Sequence, residues 1–422
     1  MHLQRVQVPD FRVLKDIDIS FEKEFSPRIF PLGSLNGGGK STLLQLIFIL
    51  LHCSADPEKH HEFIRNLLED FRIPEGTDKR TVAKFEIWDG EKKVNLEYFL
   101  LTNDSFEKLV ERYTEEIKEE IKFDELSGEE GMELITLLNG MQEKAKEKLE
   151  QRKGLKHIVR LFGANYVFKN SQLKQILFCQ FTGIDFEQID QFLVNLSKRI
   201  FLGSPSTQIF IFLSKEYRKS LFKRPSLKER IKNPKVPQEL KKEWEEAKKK
   251  ITNFFSYDFV SVDVLIESFK QARDKDFEEA IETGHYGNHY QNLLDDFNEF
   301  LRDKKINLDK DLSGVNFKAE RNGETIELYP EDLSHGELKR LSLYVWLKYT
   351  NIENAIILFD EIEIALHPDW QYQIIRDLEE WGPTNQYILA THSYELCQAL
   401  TPAHVKEIEP KLLNNVNIRN EF

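Results

Sequence analysis

The chain has 422 residues, 40 % of them hydrophobic and 31 % charged, with a formal charge of −13. That much apolar surface offsets the entropy of ordering the backbone and excludes a disordered or low-complexity protein. The acidic balance, 59 Lys plus Arg against 72 Asp plus Glu, argues against a protein that simply coats nucleic acid.

From the N-terminus, alternating apolar residues predict strands at Val6 and Val8, from Phe11 to Leu14 and from Ile17 to Phe21. A third strand, Ile29 to Leu32, stops at Gly33. A glycine-rich turn follows, and the nearly continuous Leu, Ile and Phe from Ser41 to Cys53 predict a buried helix. Val82 to Leu101 reads as a hairpin around Asp89-Gly90. Asn103 to Arg152 is charged and helical in pattern, and no proline stands between Pro74 and Pro205. Its apolar spacing does not sustain heptads, so a long coiled coil is not expected.

Ile200 to Leu213 is strand-like, followed by a basic, proline-punctuated stretch and by helical patterns from Glu239 to Lys304. A hairpin is expected around Asn322-Gly323. The last hundred or so residues alternate helix and strand, the pattern of a parallel sheet with crossover helices.

Cys53, Cys179 and Cys397 are far apart and form no CxxC, which excludes a disulfide framework and a four-cysteine zinc site. No uncharged apolar run reaches the ~18 residues that a membrane span needs. The N-terminus carries charge where a signal peptide would be apolar, so a soluble, cytoplasmic protein without a membrane partner is expected.

Four elements carry chemistry. The first is GSLNGGGKST, Gly33 to Thr42, between a strand and a helix. A phosphate-binding loop needs glycines so that backbone N–H groups can curl around an anion. It also needs a lysine for the β- and γ-phosphates, and a hydroxyl at the helix start for Mg²⁺. Gly37, Gly38, Gly39, Lys40, Ser41 and Thr42 meet these needs, with Ser34 where the usual first glycine would stand. The second element is the apolar strand Ala355 to Phe359 ending in Asp360-Glu361, a metal-binding carboxylate and a general base at a strand's carboxyl end. Two solvated acids would look the same in isolation; the upstream loop favours the functional reading. Third, DLSHGE (Asp332 to Glu337) precedes a helix, so Ser334 and Gly336 mark either a simple N-cap or an anion-binding end. Fourth, QYILATHS ends a strand near His392; a lone histidine after a strand is usually structural, but this one ends the strand that follows the Asp360-Glu361 strand.

In this order, with the ALHP turn from Ala365 to Pro368, the elements resemble the ABC-type ATPases of the RecF/SMC/OLD-like branch. The resemblance covers roughly the first and last hundred residues. It implies an α/β fold: a phosphate-loop ATPase head with a mixed or parallel sheet, flanking helices and an antiparallel β-subdomain. The expected division is 1–101 and 311–422 for the two lobes of the head and 102–310 for a mostly helical insertion that includes head strands near 200–213. The resemblance further implies that Asn36 to Thr42 bind ATP, Ser41 and Asp360 hold Mg²⁺, Glu361 is the catalytic base and His392 senses the γ-phosphate. Ser334 and Gly336 would act on the nucleotide of the opposite subunit in a head-to-tail homodimer or an oligomer of dimers. Arg12 matches an arginine of the family's opening strands that lies near the nucleotide, and would therefore be a nucleotide-binding residue. Gln180 is the first candidate for the glutamine that the family carries on a loop, and Gln208 the second.

The absence of a CxxC hook and of long heptads argues against the zinc-hook and SMC subtypes, and the 30 residues after His392 are too few for an appended nuclease domain. What is left resembles the compact AAA-family ATPases of anti-phage systems, such as PtuA of Septu and retron-linked relatives, which act beside a separate effector nuclease. A RecF-like repair ATPase and a non-hydrolysing ATP-gated scaffold stay open as alternatives. Lys215 to Lys250 holds fourteen Lys or Arg against six Glu, which suits either nucleic-acid phosphates or a solvated helical face. His285 with His289, and His60-His61-Glu62, lack the further ligands that a metal or nuclease site needs.

Overall fold

The computed structural model describes residues 1–34, 37–102, 104–106, 108, 158–168, 171–205, 250–257, 261–301, 303–309, 312, 314–321, 323–350 and 352–408. Asn36, Gln208, nearly all of the charged stretch from Asn103 to Arg152 and the basic stretch up to residue 249 lie outside them.

The chain opens with β1 (His2–Phe11), β2 (Leu14–Ser20) and β3 (Ile29–Gly33), then α1 (Lys40–Cys53) and the short α2 (His61–Leu67). Next come β4 (Lys79–Trp88), β5 (Lys93–Thr102), β6 (Ile158–Phe168), β7 (Ser171–Thr182), α3 (Ile189–Ser197), β8 (Ile200–Ser204) and β9 (Phe254–Ser256). Helices α4 (Ser261–Thr283) and α5 (His289–Leu301) lead to β10 (Lys304–Leu308), β11 (Val315–Arg321) and β12 (Glu324–Leu328). The last part runs α6 (His335–Tyr349), β13 (Ile356–Asp360), α7 (Pro368–Trp381), β14 (Gln386–Ala390), α8 (Tyr394–Gln398) and β15 (Lys406–Glu407).

The functional sheet is parallel, in the order β15-β3-β14-β13-β8-β9. Its central strands β13 (IILFD) and β14 (QYILA) are buried at every position, because helices and a second sheet cover both faces. Side chains divide by strand alternation. Ile356, Leu358, Ile388 and Ala390 join one core with α1, whereas Ile357, Phe359, Tyr387 and Leu389 join another with α4, α5, α6 and α7.

The antiparallel sheet has the order β2-β1-β4-β5-β7-β6 and packs on the opposite side of α1. Flanked by two sheets, α1 has no solvent face to keep polar, which explains its continuous Leu, Ile and Phe. The β4–β5 connection bears out the Asp89-Gly90 signal: the Asp89 carboxylate accepts the N–H groups of Glu91 and Lys92, and Gly90 has φ 125°. The hairpin expected at Gly323 is β11–β12, paired Arg321 to Glu324.

Residues 158–168 and 171–182, placed by sequence within a mostly helical segment, are paired antiparallel strands that extend the first sheet through β5 and β7. The run ILFCQF lacks a polar helix face and instead buries both strand faces. Residues 200–204 join the parallel sheet beside β13, and residues 206–213, read with them as strand-like, lie outside the described residues. Among the described residues, no helix is long and apolar enough to cross a membrane.

One consequence of this packing concerns pH. His52, near the end of α1, stacks on Phe48 with ring centroids 5.0 Å apart and places Nδ1 2.9 Å from the Ser197 carbonyl oxygen. Its Nε2 is buried without a partner, and burial pushes its pKa from 6.5 down to about 4. The folded state thus binds fewer protons than the unfolded chain between those values. The stability that this contributes is present above the unfolded pKa and is lost as pH falls toward the folded one, by up to ~3 kcal/mol. In denaturant titrations, the stability advantage of wild type over His52→Gln should be largest near neutral pH and shrink steadily below pH ~6.5.

Candidate functional site

The loop from β3 to α1 is shaped by its glycines. Gly37 and Gly39 have φ of 79° and 91°, conformations that L side chains rarely adopt. A Cβ on Gly39 would lie 2.6 Å from Leu14 and 2.9 Å from Val13, so the β1–β2 turn presses against the loop where only glycine fits. Gly39 caps α1 without a side-chain bond, leaving the first helical N–H groups for an anion. Thr42 stands at the third helical position.

Lys40 is buried, with its ammonium folded back on the loop. Nζ donates to the Ser34 carbonyl and hydroxyl, both at 3.1 Å, and lies 3.4 Å from His392 Nδ1. Ser34 therefore has a use in place of the usual first glycine: it is Lys40's resting partner. Burial lowers the Lys40 pKa, and Glu363, Asp360 and Glu361, in that order, oppose the shift.

The hydroxyl of Ser41 donates to Asp360 Oδ1 at 2.9 Å, joining the start of α1 to the end of β13. Asp360 is only 2 % exposed. Burial pushes its pKa up to about 7, Ser41's bond works against this, and the neighbouring Glu361 and Glu363 add to it. A hydroxyl and a buried carboxylate facing one another beside an anion loop suit a hard divalent cation, whose charge would reverse that penalty.

Glu361 has φ 52°, a left-handed conformation that is uncommon for any residue but glycine, and it turns the chain sharply as β13 ends. Its N–H donates to the Ala390 carbonyl at 2.9 Å, and its own carbonyl accepts from Lys339 Nζ at 3.2 Å. His392 follows β14, its N–H donating to Glu363 Oε1 at 2.6 Å. The strand order brings β3, β14 and β13 side by side, so Lys40, His392, Asp360 and Glu361 converge at one sheet edge from positions up to 352 residues apart.

Ser334 caps α6 in a capping box: its hydroxyl accepts the Glu337 N–H, and its N–H and hydroxyl donate to the Glu337 carboxylate. Burial alone would raise the Glu337 pKa, but ion pairing with Lys304 and the bonds from Ser334 hold it below the usual range. Ser334 is exposed at this helix end. Gly336 lies against the turn after Glu361, where a Cβ would meet the Ala365 carbonyl at 2.6 Å.

Two expected residues sit elsewhere. Gln180, expected on a loop, is in mid-strand in β7, paired with Glu97 and Ile158, because the apolar run around it forms a strand. Arg12 is on the β1–β2 turn that presses on Gly39, and its guanidinium donates to the carbonyls of Asn66 and Leu67. Sequence reasoning missed Glu363 and Lys339. The third acid of DEIE, two residues past Glu361 and between Ile362 and Ile364, was the available signal for Glu363; nothing in the sequence marked Lys339.

The chain is 33 % identical over 99 residues to the "Retron Vc95 probable ATPase" of Vibrio cholerae serotype O1 biovar El Tor, covering 21 % of this chain and 19 % of that protein. It is 40 % identical over 51 residues to the "Retron Ec83 probable ATPase" of Escherichia coli, covering 12 % and 9 %. The chain thus spans less than a fifth of the length of these curated relatives. Among solved structures it is similar to an SMC head bound to the C-winged helix domain of ScpA, at 10 % identity and a TM-score of 0.39, covering 94 % and 92 %. The SMC head domain from Thermotoga maritima gives 10 % and 0.40 over the same coverage. A family model described as AAA ATPase domain matches residues 1–397. The chain belongs to that family.

Proposed function

We propose that this ATPase binds ATP with magnesium, hydrolyses it, and uses the cycle to close and reopen a head-to-tail dimer. The observation that carries the reading is the convergence of Lys40, the Ser41–Asp360 pair and His392 at one sheet edge. The residues fit a magnesium triphosphate. The Gly39 cradle excludes a Cβ, the Lys40 ammonium is buried, and a cluster of carboxylates stands opposite with a buried Glu363 oxygen that lacks a partner among the described residues.

In this reading Lys40 moves from Ser34 to the phosphates, and backbone N–H groups of Gly37 to Thr42 surround them. Ser41 and Asp360 hold the magnesium, which neutralises charge on the phosphoryl oxygens when bound. Glu361 accepts the proton of the attacking water, and His392, beside Lys40, contacts the terminal phosphate. Ser334, exposed at its helix end, and the buried Gly336 beside it complete the site of a second copy.

We extend the proposal to anti-phage defence, with the nucleotide state presented to a separate effector nuclease; the names of the two relatives, each a retron probable ATPase, support its retron link alone. Lys215 to Lys250 is the segment that would meet nucleic acid in that assembly. Phosphate release and light scattering on the wild type test the core reading. Magnesium-dependent turnover with an ATP-dependent doubling of mass is expected; a monomer without turnover at saturating ATP would refute it.

A further inference from the structure

A parallel ladder spaces its bonds evenly, alternate residues of one strand each bonding to the two residues that flank their partner on the other. Between β13 and β14 the register runs from Ile356–Gln386 to Asp360–Ala390, and the next bond, Glu361 N–H to Ala390 C=O, is made at 2.9 Å. Continuation of the pattern would join the His392 N–H to the Glu361 carbonyl. That bond is replaced. The Glu361 carbonyl is taken by Lys339 Nζ at 3.2 Å, and the His392 N–H by Glu363 Oε1 at 2.6 Å.

Two buried charged side chains thus stand in for one backbone hydrogen bond, where the ladder opens between the proposed base and the proposed phosphate sensor. Lys339 is also held by the Ile364 carbonyl at 3.0 Å and lies over the Tyr257 ring at 4.1 Å. Glu363 is 8 % exposed, its Oε2 has no hydrogen-bond partner among the described residues, and it is the foremost carboxylate acting on Lys40. An orphaned buried carboxylate oxygen is costly, and a structural clamp alone would need only one acceptor.

We propose that Glu363 is a positioning residue for ATP hydrolysis. It fixes the backbone of His392 through one oxygen and balances the Lys40 ammonium with its charge, while Lys339 fixes the backbone of Glu361. This inference rests on the ATPase reading above and names the device that spaces its two working side chains. Glu363 acts through His392 and Lys40, so its loss should slow turnover without weakening nucleotide binding.

The test compares wild type, Glu363→Ala, Glu363→Gln, His392→Ala and the Glu363→Ala/His392→Ala double variant. The readouts are kcat for phosphate release, Kd for N-methylanthraniloyl-ATP with magnesium, and thermal midpoint. Glu363→Ala should lower kcat about tenfold or more while Kd stays within about threefold or tightens, because a negative charge beside the phosphate site is gone. Glu363→Gln keeps an acceptor for the His392 N–H and should recover most of kcat. The double variant should be no slower than His392→Ala within about twofold, since both changes act through one group.

Wild-type kcat in Glu363→Ala, multiplicative losses in the double variant, or equally low kcat in the Gln and Ala variants would overturn the proposal. A loss of kcat that merely tracks a lowered thermal midpoint would reduce Glu363 to a structural role and would overturn it as well. A wild type that neither binds nor turns over ATP would sink the ATPase reading, and this inference with it, and is told apart by failing before any variant is made.

Discussion

Glu361→Gln will bind ATP as well as the wild type and hydrolyse it at least ~100-fold more slowly, accumulating as the ATP-bound dimer. Binding is assigned to other groups: the loop amides, Lys40 and the Ser41–Asp360 pair, none of which the change touches. The backbone of residue 361 is held by the Ala390 carbonyl and by Lys339, bonds that are independent of its side chain. Glutamine therefore occupies the same place but cannot take up the water's proton. Removing one of three carboxylates that act on Lys40 favours an anion, so affinity should hold or rise. Phosphate release and light scattering with ATP check both halves. Turnover within tenfold of wild type would move the base elsewhere.

Asp360→Asn will raise stability in metal-free protein while abolishing magnesium-dependent nucleotide binding. Asp360 is 2 % exposed, and its pKa is pushed to about 7, from 3.8, by burial first and then by the acids beside it. An acid whose folded pKa is raised binds more protons folded than unfolded. Its full contribution is present only below the unfolded value of 3.8; stability is lost as pH rises from there through the folded value, above which the loss is complete. At pH 8 the full shift corresponds to on the order of 3–4 kcal/mol. Asparagine removes that charge and its oxygen still accepts from Ser41. Melting in EDTA should show a variant several degrees more stable than wild type at pH 8, with the gap narrowing toward pH 6. Opposed effects on stability and binding mark a site kept for function. A variant equally stable or less stable at pH 8 would show that the Asp360 charge is already compensated.

The parts of the site that were legible in the sequence are those fixed by local chain geometry. A glycine run after an apolar strand and before an apolar helix can form one kind of loop, and Lys40 and Ser41 follow from it. Asp360 and Glu361 end a wholly apolar strand, and such strands pair at the centre of a parallel sheet. The Ser334 cap was equally readable, because Ser-x-x-Glu before a helix is a local device.

The residues that escaped depend on what the fold brings together. Glu363 and Lys339 earn their roles only when β13 and β14 are adjacent and the ladder between them opens, information that no window of sequence holds. The β6–β7 pair was hidden by its neighbours. Flanked by charged segments, ILFCQF reads as part of a helical stretch, and only pairing with β5 shows it as an interior strand. Gln180 was misplaced for the same reason.

The central claim is that a magnesium triphosphate seats on Lys40 opposite Asp360. Isothermal titration of ATP with magnesium into wild type and into Lys40→Met tests it most directly. Saturable binding by the wild type, weakened about 100-fold or more in Lys40→Met and by EDTA, is the predicted result. Equal heats in the two proteins, or no binding by the wild type, would contradict it.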